Sequence, residues 1–130
     1  MAGRLGDHLK RKRLFLENGM LFIHGSGRLA MAVYQDRSAF SSNGDCICVR
    51  AKHEQEGRCQ VTLGSLAEFG PRSPADLTYP IRTADRNVII TLVAGYPVMT
   101  LPVSSESTCL SIWLNNPQEA DDIVIAAEPA

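Results

Sequence analysis

Between Asn87 and Ala130 there is not one lysine or arginine, while Glu106, Glu119, Asp121, Asp122 and Glu128 all lie in that stretch. Contact with a polyanion must therefore come from another part of the chain. Aromatic residues are scarce, at 6% of the sequence. Long hydrophobic runs are absent too: Val88 to Val93, broken only by Thr91, is far too short to span a bilayer, so no membrane partner is expected. The opening MAGRLGDHLKRKRL is followed by neither an apolar core of about 7–15 residues nor a small-residue cleavage site. No signal peptide is expected, and a cytoplasmic, reducing setting follows. No repeat of solenoid length is visible.

Catalytic constellations are missing as well. His8, His24 and His53 are not spaced with a nucleophile or a carboxylate in any known catalytic pattern. His24-Gly25-Ser26-Gly27 lacks both the nucleophile elbow and the phosphate-loop lysine, and reads as a hinge. Glu119, Asp121 and Asp122 read as a solvated, edge-protecting patch rather than a cation site. The sequence predicts no enzyme, no cofactor and no metal.

What is present is 130 residues, 45% hydrophobic and carrying 13 Lys+Arg against 14 Asp+Glu, enough for one compact core and too apolar for a disordered chain. Four cysteines, Cys46, Cys48, Cys59 and Cys109, read as free thiols. Cys46 and Cys48 sit two apart in a strand-like run, which puts both sulfurs on one face of a pleat rather than around a metal knuckle.

Charge is unevenly placed. Residues 1–37 hold seven basic groups against three acidic, a local charge of +4, and the other 93 residues carry −5. A basic head on an acidic body is the footprint of a protein that meets polyanions through one element.

Asp7 can cap a helix from His8 to Asn18, ended by Asn18-Gly19, and a second helix fits Arg28 to Tyr34. Ser38 to Ser42 reads as a third short helix or a loop, closed by the turn Asn43-Gly44-Asp45. Beyond residue 45 the pattern predicts strands at Cys46–Arg50, Cys59–Leu63, Val88–Val93, Val98–Val103, Cys109–Leu114 and Ile123–Ala126, joined by hairpins into an antiparallel sheet. The Pro-rich stretch 69–80 reads as a connection. Leu110, Ile112 and Leu114 alternate with Ser111 and Trp113, so Trp113 points away from the aliphatic face, as a partner contact or into a second small core. The expectation is an α+β protein: a basic helical N-terminal region, residues 1–44, followed by an acidic antiparallel β domain, residues 45–130.

Leu5-Gly6-Asp7-His8-Leu9-Lys10-Arg11-Lys12-Arg13-Leu14 resembles the opening helix of repressor-type helix-turn-helix domains, and Leu29 to Ser41 is similar to their second helix, turn and start of the recognition helix. That resemblance implies base-edge and phosphate contacts by Asp36, Arg37, Ser38 and Ser41, with Lys10, Arg11 and Arg13 on phosphates. The stretch Phe15 to Arg28 is longer than in that family, Tyr34 replaces its turn glycine, and its fourth and fifth helices have no counterpart after Ser42. A second likeness, Asn43-Gly44-Asp45 through Gln60-Val61-x-Leu63-Gly64, resembles the carbon-storage-regulator family of RNA-binding proteins, which implies interleaved strands in a dimer.

Two functional readings follow. The first is a small non-enzymatic regulator that binds nucleic acid through Lys10, Arg11, Lys12, Arg13, Arg28, Arg37, Ser38 and Ser41, and a protein partner or second subunit through the β domain, with Trp113 in the contact. The second is a protein-binding module or inhibitor of the mobile-element accessory type, in which the basic segment is only a docking face. They separate on salt. A duplex held by the basic head loses affinity steeply with ionic strength, and Lys10→Ala or Arg11→Ala each flattens the log–log slope by about one unit, as fluorescence anisotropy on duplex DNA would measure.

Overall fold

Leu21 and Ile23 are buried while Met20, Phe22 and His24 between and beside them are only partly so, and the same period of two recurs along most of the chain. The computed structural model describes residues 9–25, 39–70, 72–93, 95–117 and 119–130. Among them run ten strands: β1 (Lys10–Leu14), β2 (Met20–His24), β3 (Phe40–Ser42), β4 (Cys46–Arg50), β5 (Cys59–Ser65), β6 (Leu77–Arg82), β7 (Asn87–Leu92), β8 (Pro97–Pro102), β9 (Ser107–Leu114) and β10 (Asp122–Pro129).

They form two five-stranded sheets. Sheet I has the order β1-β5-β10-β9-β6 and sheet II the order β3-β4-β2-β7-β8. Every pairing is antiparallel except β5 with β10, which run parallel from Gln60 beside Asp122 to Ser65 beside Ala127. Between the sheets lies one aliphatic core. Leu21, Ile23, Ile47, Val49, Val88 and Ile90 fill it from sheet II, and Val61, Leu63, Leu110, Ile112, Ile123 and Ile125 from sheet I. This is the two-layer solution open to sheets that are each apolar on one face.

The architecture overturns the α+β expectation. No helix longer than a three-residue 3-10 turn occurs among the described residues. The segment expected as a helix from His8 to Asn18 is strand β1 followed by such a turn at Glu17–Gly19. The reason is tertiary. Leu14 and Leu16, two residues apart, both turn to the core, and pairing from Lys10 beside Leu63 to Leu14 beside Cys59 satisfies the β1 backbone. A lone helix of that length is marginal in water, and a neighbouring strand offered more burial. Nor do the described residues among the first 44 stand apart as a helical region: β1 belongs to sheet I, and β2 and β3 to sheet II. The expected second helix, and most of the helix-turn-helix-like stretch from Leu29, fall outside the described residues. Its last residues, Phe40 and Ser41, are in β3.

The strands expected beyond residue 45 are present, and so is the Asn43-Gly44 turn, where the Asn43 side chain accepts bonds from the Asp45 and Cys46 amides at 3.0 Å. Two expected hairpins are not hairpins. β4 and β5 lie in different sheets, as do β8 and β9, so residues 51–58 and 103–106 are crossovers between the layers. The Pro-rich connection also contains a strand, β6, which carries Pro80 at the edge of sheet I, where a missing amide is tolerated.

The two layers are held close at the end where β2 and β6 finish. Gly25 is buried there, and a Cβ on it would stand 2.3 Å from the Arg82 carbonyl oxygen and 3.1 Å from the Thr83 Cα. Both obstacles are backbone. Gly25→Ala is therefore expected to cost about 2–3 kcal/mol, read as a lower urea midpoint with unchanged slope.

Candidate interaction surface

Strand β1 carries the basic head along one edge of sheet I. Its alternation sends the four cations in two directions. Lys10 and Lys12, paired with the core residues Leu63 and Val61, reach across to the edge of sheet II, where their ammonium groups donate to the backbone carbonyls of Thr100 and, at 2.9 Å, Val98. Arg11 and Arg13 take the outer face, and the Arg11 Nε donates to the Thr62 hydroxyl at 3.3 Å. Half of the basic run is thus engaged in closing a flank of the sandwich. Ser41 lies on β3, at the opposite edge of sheet II from β8, so it is not brought beside Lys10–Arg13. Arg28, Arg37 and Ser38 lie outside the described residues. The fold does not assemble the described part of the predicted nucleic-acid set into one surface.

The register of the two lysine bonds has a second effect. Because Lys10 lies at Thr100 and Lys12 at Val98, the next residues of β1 run beside the tip of the β7–β8 hairpin. Phe15 is 50% exposed, Tyr96 71% and Val93 38%, the large hydrophobic side chains that stand in solvent among the described residues. All three belong to one pole of the sandwich. The loops there are tied together: the Glu54 amide donates to the Leu16 carbonyl at 3.1 Å, Ala51 to Gly19 at 2.7 Å and Lys52 to Ala120 at 2.9 Å. Residues 15–19, 51–58, 93–96 and 115–122 together hold six carboxylates against two cations. Of those cations, Lys52 lies 3.7 Å from Asp121, and the Arg58 guanidinium sits 4.9 Å over the Phe15 ring. Reading the sequence alone misses this surface, because its parts come from four separate loops. The one signal was the placement of aromatics in turns, Phe15 before a turn and Tyr96 between Gly95 and Pro97.

Trp113 does point away from the aliphatic core, on the outer face of sheet I. It is partly buried there by the chain itself. Its Nε1 donates to the Ser73 carbonyl at 2.8 Å, and the Arg72 guanidinium stacks 4.9 Å from its ring. The Leu114 amide, next along β9, donates to the Asp76 carboxylate at 2.7 Å. Residues 66–76, which must pass β10 and β9 to reach β6, are thereby strapped across the sheet. Gly64 makes room for the covering side chains: a Cβ there would meet Leu9 at 2.3 Å and the Phe69 ring at 3.5 Å. A shallow pocket of about 260 Å³ lies beside Trp113, lined by Arg72, Asp76, Asn115 and Asp122 among others.

The cysteines are free thiols. Cys46 and Cys48 share the outer face of sheet II, where Met20 and Phe22 pack against them, and Cys59 belongs to the main core. Burial pushes the Cys48 thiol up to about 11, with Cys46 adding to it. Burial pushes Cys59 up to about 12, reinforced by Asp121 and Asp122 and opposed by Lys52. Burial and then Glu128 raise Cys109 more modestly. Thiols held protonated in this way are inert packing groups, not nucleophiles. Among the described residues no three His, Cys, Asp or Glu side chains are grouped to hold a metal ion. His24 has both ring nitrogens engaged, Nδ1 with the Gly25 carbonyl and Nε2 with the Thr91 hydroxyl, each at 2.6 Å. Raised thiol pKa values make the folded state hold protons that the unfolded state releases near pH 9. Their contribution to stability is complete below about pH 9 and fades as pH rises toward 12. Urea unfolding at pH 8 and pH 10.5 is expected to show this decline, and a Cys48→Ala, Cys59→Ala double variant is expected to show less of it.

No family model and no curated protein matches the sequence. Among solved structures, the chain is similar to the crystal structure of ComJ, inhibitor of the DNA degrading activity of NucA, from Bacillus subtilis. The TM-score is 0.67 over 91% of this chain and 93% of that chain, at 12% sequence identity. At that identity the likeness is one of fold, and it runs nearly end to end.

Proposed function

We propose that the chain is a protein-binding module of the inhibitor kind, without catalytic activity of its own, whose target is an enzyme that degrades nucleic acid. The observation that carries this reading is the near full-length match in fold to ComJ, an inhibitor of a DNA-degrading activity. A fold by itself hosts many functions, so the reading also leans on the surface. Lys10 and Lys12 are bonded to β8 and Arg11 to Thr62, which leaves the basic strand poorly arranged to track phosphates. The pole with the exposed Phe15, Val93 and Tyr96 joins apolar side chains with polar loops, the mixture that protein-contact surfaces carry.

The test is a DNA digest. Purified chain added in stoichiometric steps to a panel of DNA-degrading enzymes, NucA among them, is expected to arrest at least one, with ComJ against NucA as the reference. Fluorescence anisotropy on the same DNA is expected to show no steeply salt-dependent binding of the chain. Salt-sensitive binding of duplex by the chain, with no arrest of any nuclease, would return the function to the nucleic-acid regulator.

A further inference from the structure

Phe15, Val93 and Tyr96 come from two connections distant in sequence, yet they lie at one pole, toward which the lysine bonds of β1 to β8 align both connections. Solvent-exposed aromatic side chains on a rigid platform are the usual anchors of a protein interface: large in area, with few rotatable bonds to freeze. Phe15 stands on such a platform, its loop being joined to two others by backbone hydrogen bonds of 2.7 to 3.1 Å, while Tyr96 is held within its own hairpin by the bond from the Leu92 amide to its carbonyl.

Charge decides what the anchors can enter. The pole's loops carry six carboxylates against two cations, Lys52 being paired with Asp121 and Arg58, still charged, lying over the Phe15 ring, while Lys12 reaches Val98 at the rim. A nucleic acid or an anionic membrane would be repelled. A second copy of the chain would set carboxylates against carboxylates. A cationic cleft is the complementary surface, and enzymes that degrade nucleic acid must have one to hold phosphates. We infer that this pole is the docking face for the phosphate-binding cleft of the target nuclease: Phe15 and Tyr96 enter as aromatic anchors, and carboxylates such as Glu54 and Glu56 stand where DNA phosphates would lie. The inference rests on the inhibitor reading above and adds to it the face, the anchors and the region of the enzyme that is covered. It also gives the inhibition its physics, since the chain and DNA would compete for one basic surface.

The experiment uses the full chain and the nuclease panel that includes NucA. Phe15→Ala, Tyr96→Ala and a Glu54→Lys, Glu56→Lys double variant are compared with Glu106→Lys, which reverses charge at the opposite pole. Phe15 and Tyr96 are at least half exposed, so their removal leaves the core intact, and thermal melts confirm that each variant folds. The expected result is a rise of about tenfold or more in the half-inhibitory concentration for each aromatic variant. A similar rise is expected for the charge reversal, together with a weaker dependence on salt. Glu106→Lys is expected to inhibit as the parent does, and added DNA is expected to relieve inhibition competitively. Arrest that is equal for all variants overturns this face and leaves the inhibitor reading standing. Arrest of no nuclease by the parent chain overturns both. A dimer in sedimentation that Tyr96→Ala dissolves gives the surface to a second copy and overturns the inference.

Discussion

Leu21, Ile23, Ile47 and Val49 on one sheet face Val61, Leu63, Ile123 and Ile125 on the other, all fully buried, and neither layer could keep its apolar face dry alone. Burial of each such side chain stabilises by about 1.5–3 kcal/mol, so the shared layer is the dominant favourable term in the fold. The rest of the architecture closes the gap around it. On one flank the lysines of β1 bond to carbonyls of β8. At one end, loops 15–19, 51–58 and 115–122 interlock through backbone hydrogen bonds, and at the other the backbone at Arg82 abuts Gly25.

That closure also explains the fate of the basic head. An edge strand with free backbone groups invites pairing with another chain, and lysines on such a strand are a common defence. In β1 they do more, because the side chains long enough to discourage a stranger are long enough to reach the neighbouring sheet. Two of the four cations in that run, Lys10 and Lys12, thus serve as a flank seal. The same seal aligns β1 with β8, so that Phe15, Val93 and Tyr96 lie toward one pole of the sandwich.

The outer face of sheet I follows a similar logic. The order β5-β10-β9-β6 requires the chain to step over two strands between Ser65 and Leu77, and Phe69, Arg72, Ser73 and Asp76 contact the outer face of the sheet on the way. Small side chains beneath, such as Gly64 and Ala126, leave room, and Trp113 supplies both a donor for Ser73 and a ring for Arg72. The tryptophan that the alternation of β9 turns outward therefore has partners within the chain itself.

The amino-acid sequence by itself determined where most strands run after residue 45, which side chains of Cys109–Leu114 turn inward, the Asn43-Gly44 turn, the free thiols and the partition of charge. These are local properties: a period of two, a turn dipeptide and the count of ionisable groups are written within a few residues. Only the tertiary structure decided that Lys10–Leu14 is a strand, that residues 51–58 and 103–106 cross between sheets, that β5 and β10 run parallel, and that Phe15, Val93 and Tyr96 share a pole. The physical reason is the same in each case. A short polar connection uses identical turn chemistry whether it closes a hairpin or crosses a sandwich, and a segment with apolar residues compatible with both periods takes the one that buries more surface against elements distant in sequence.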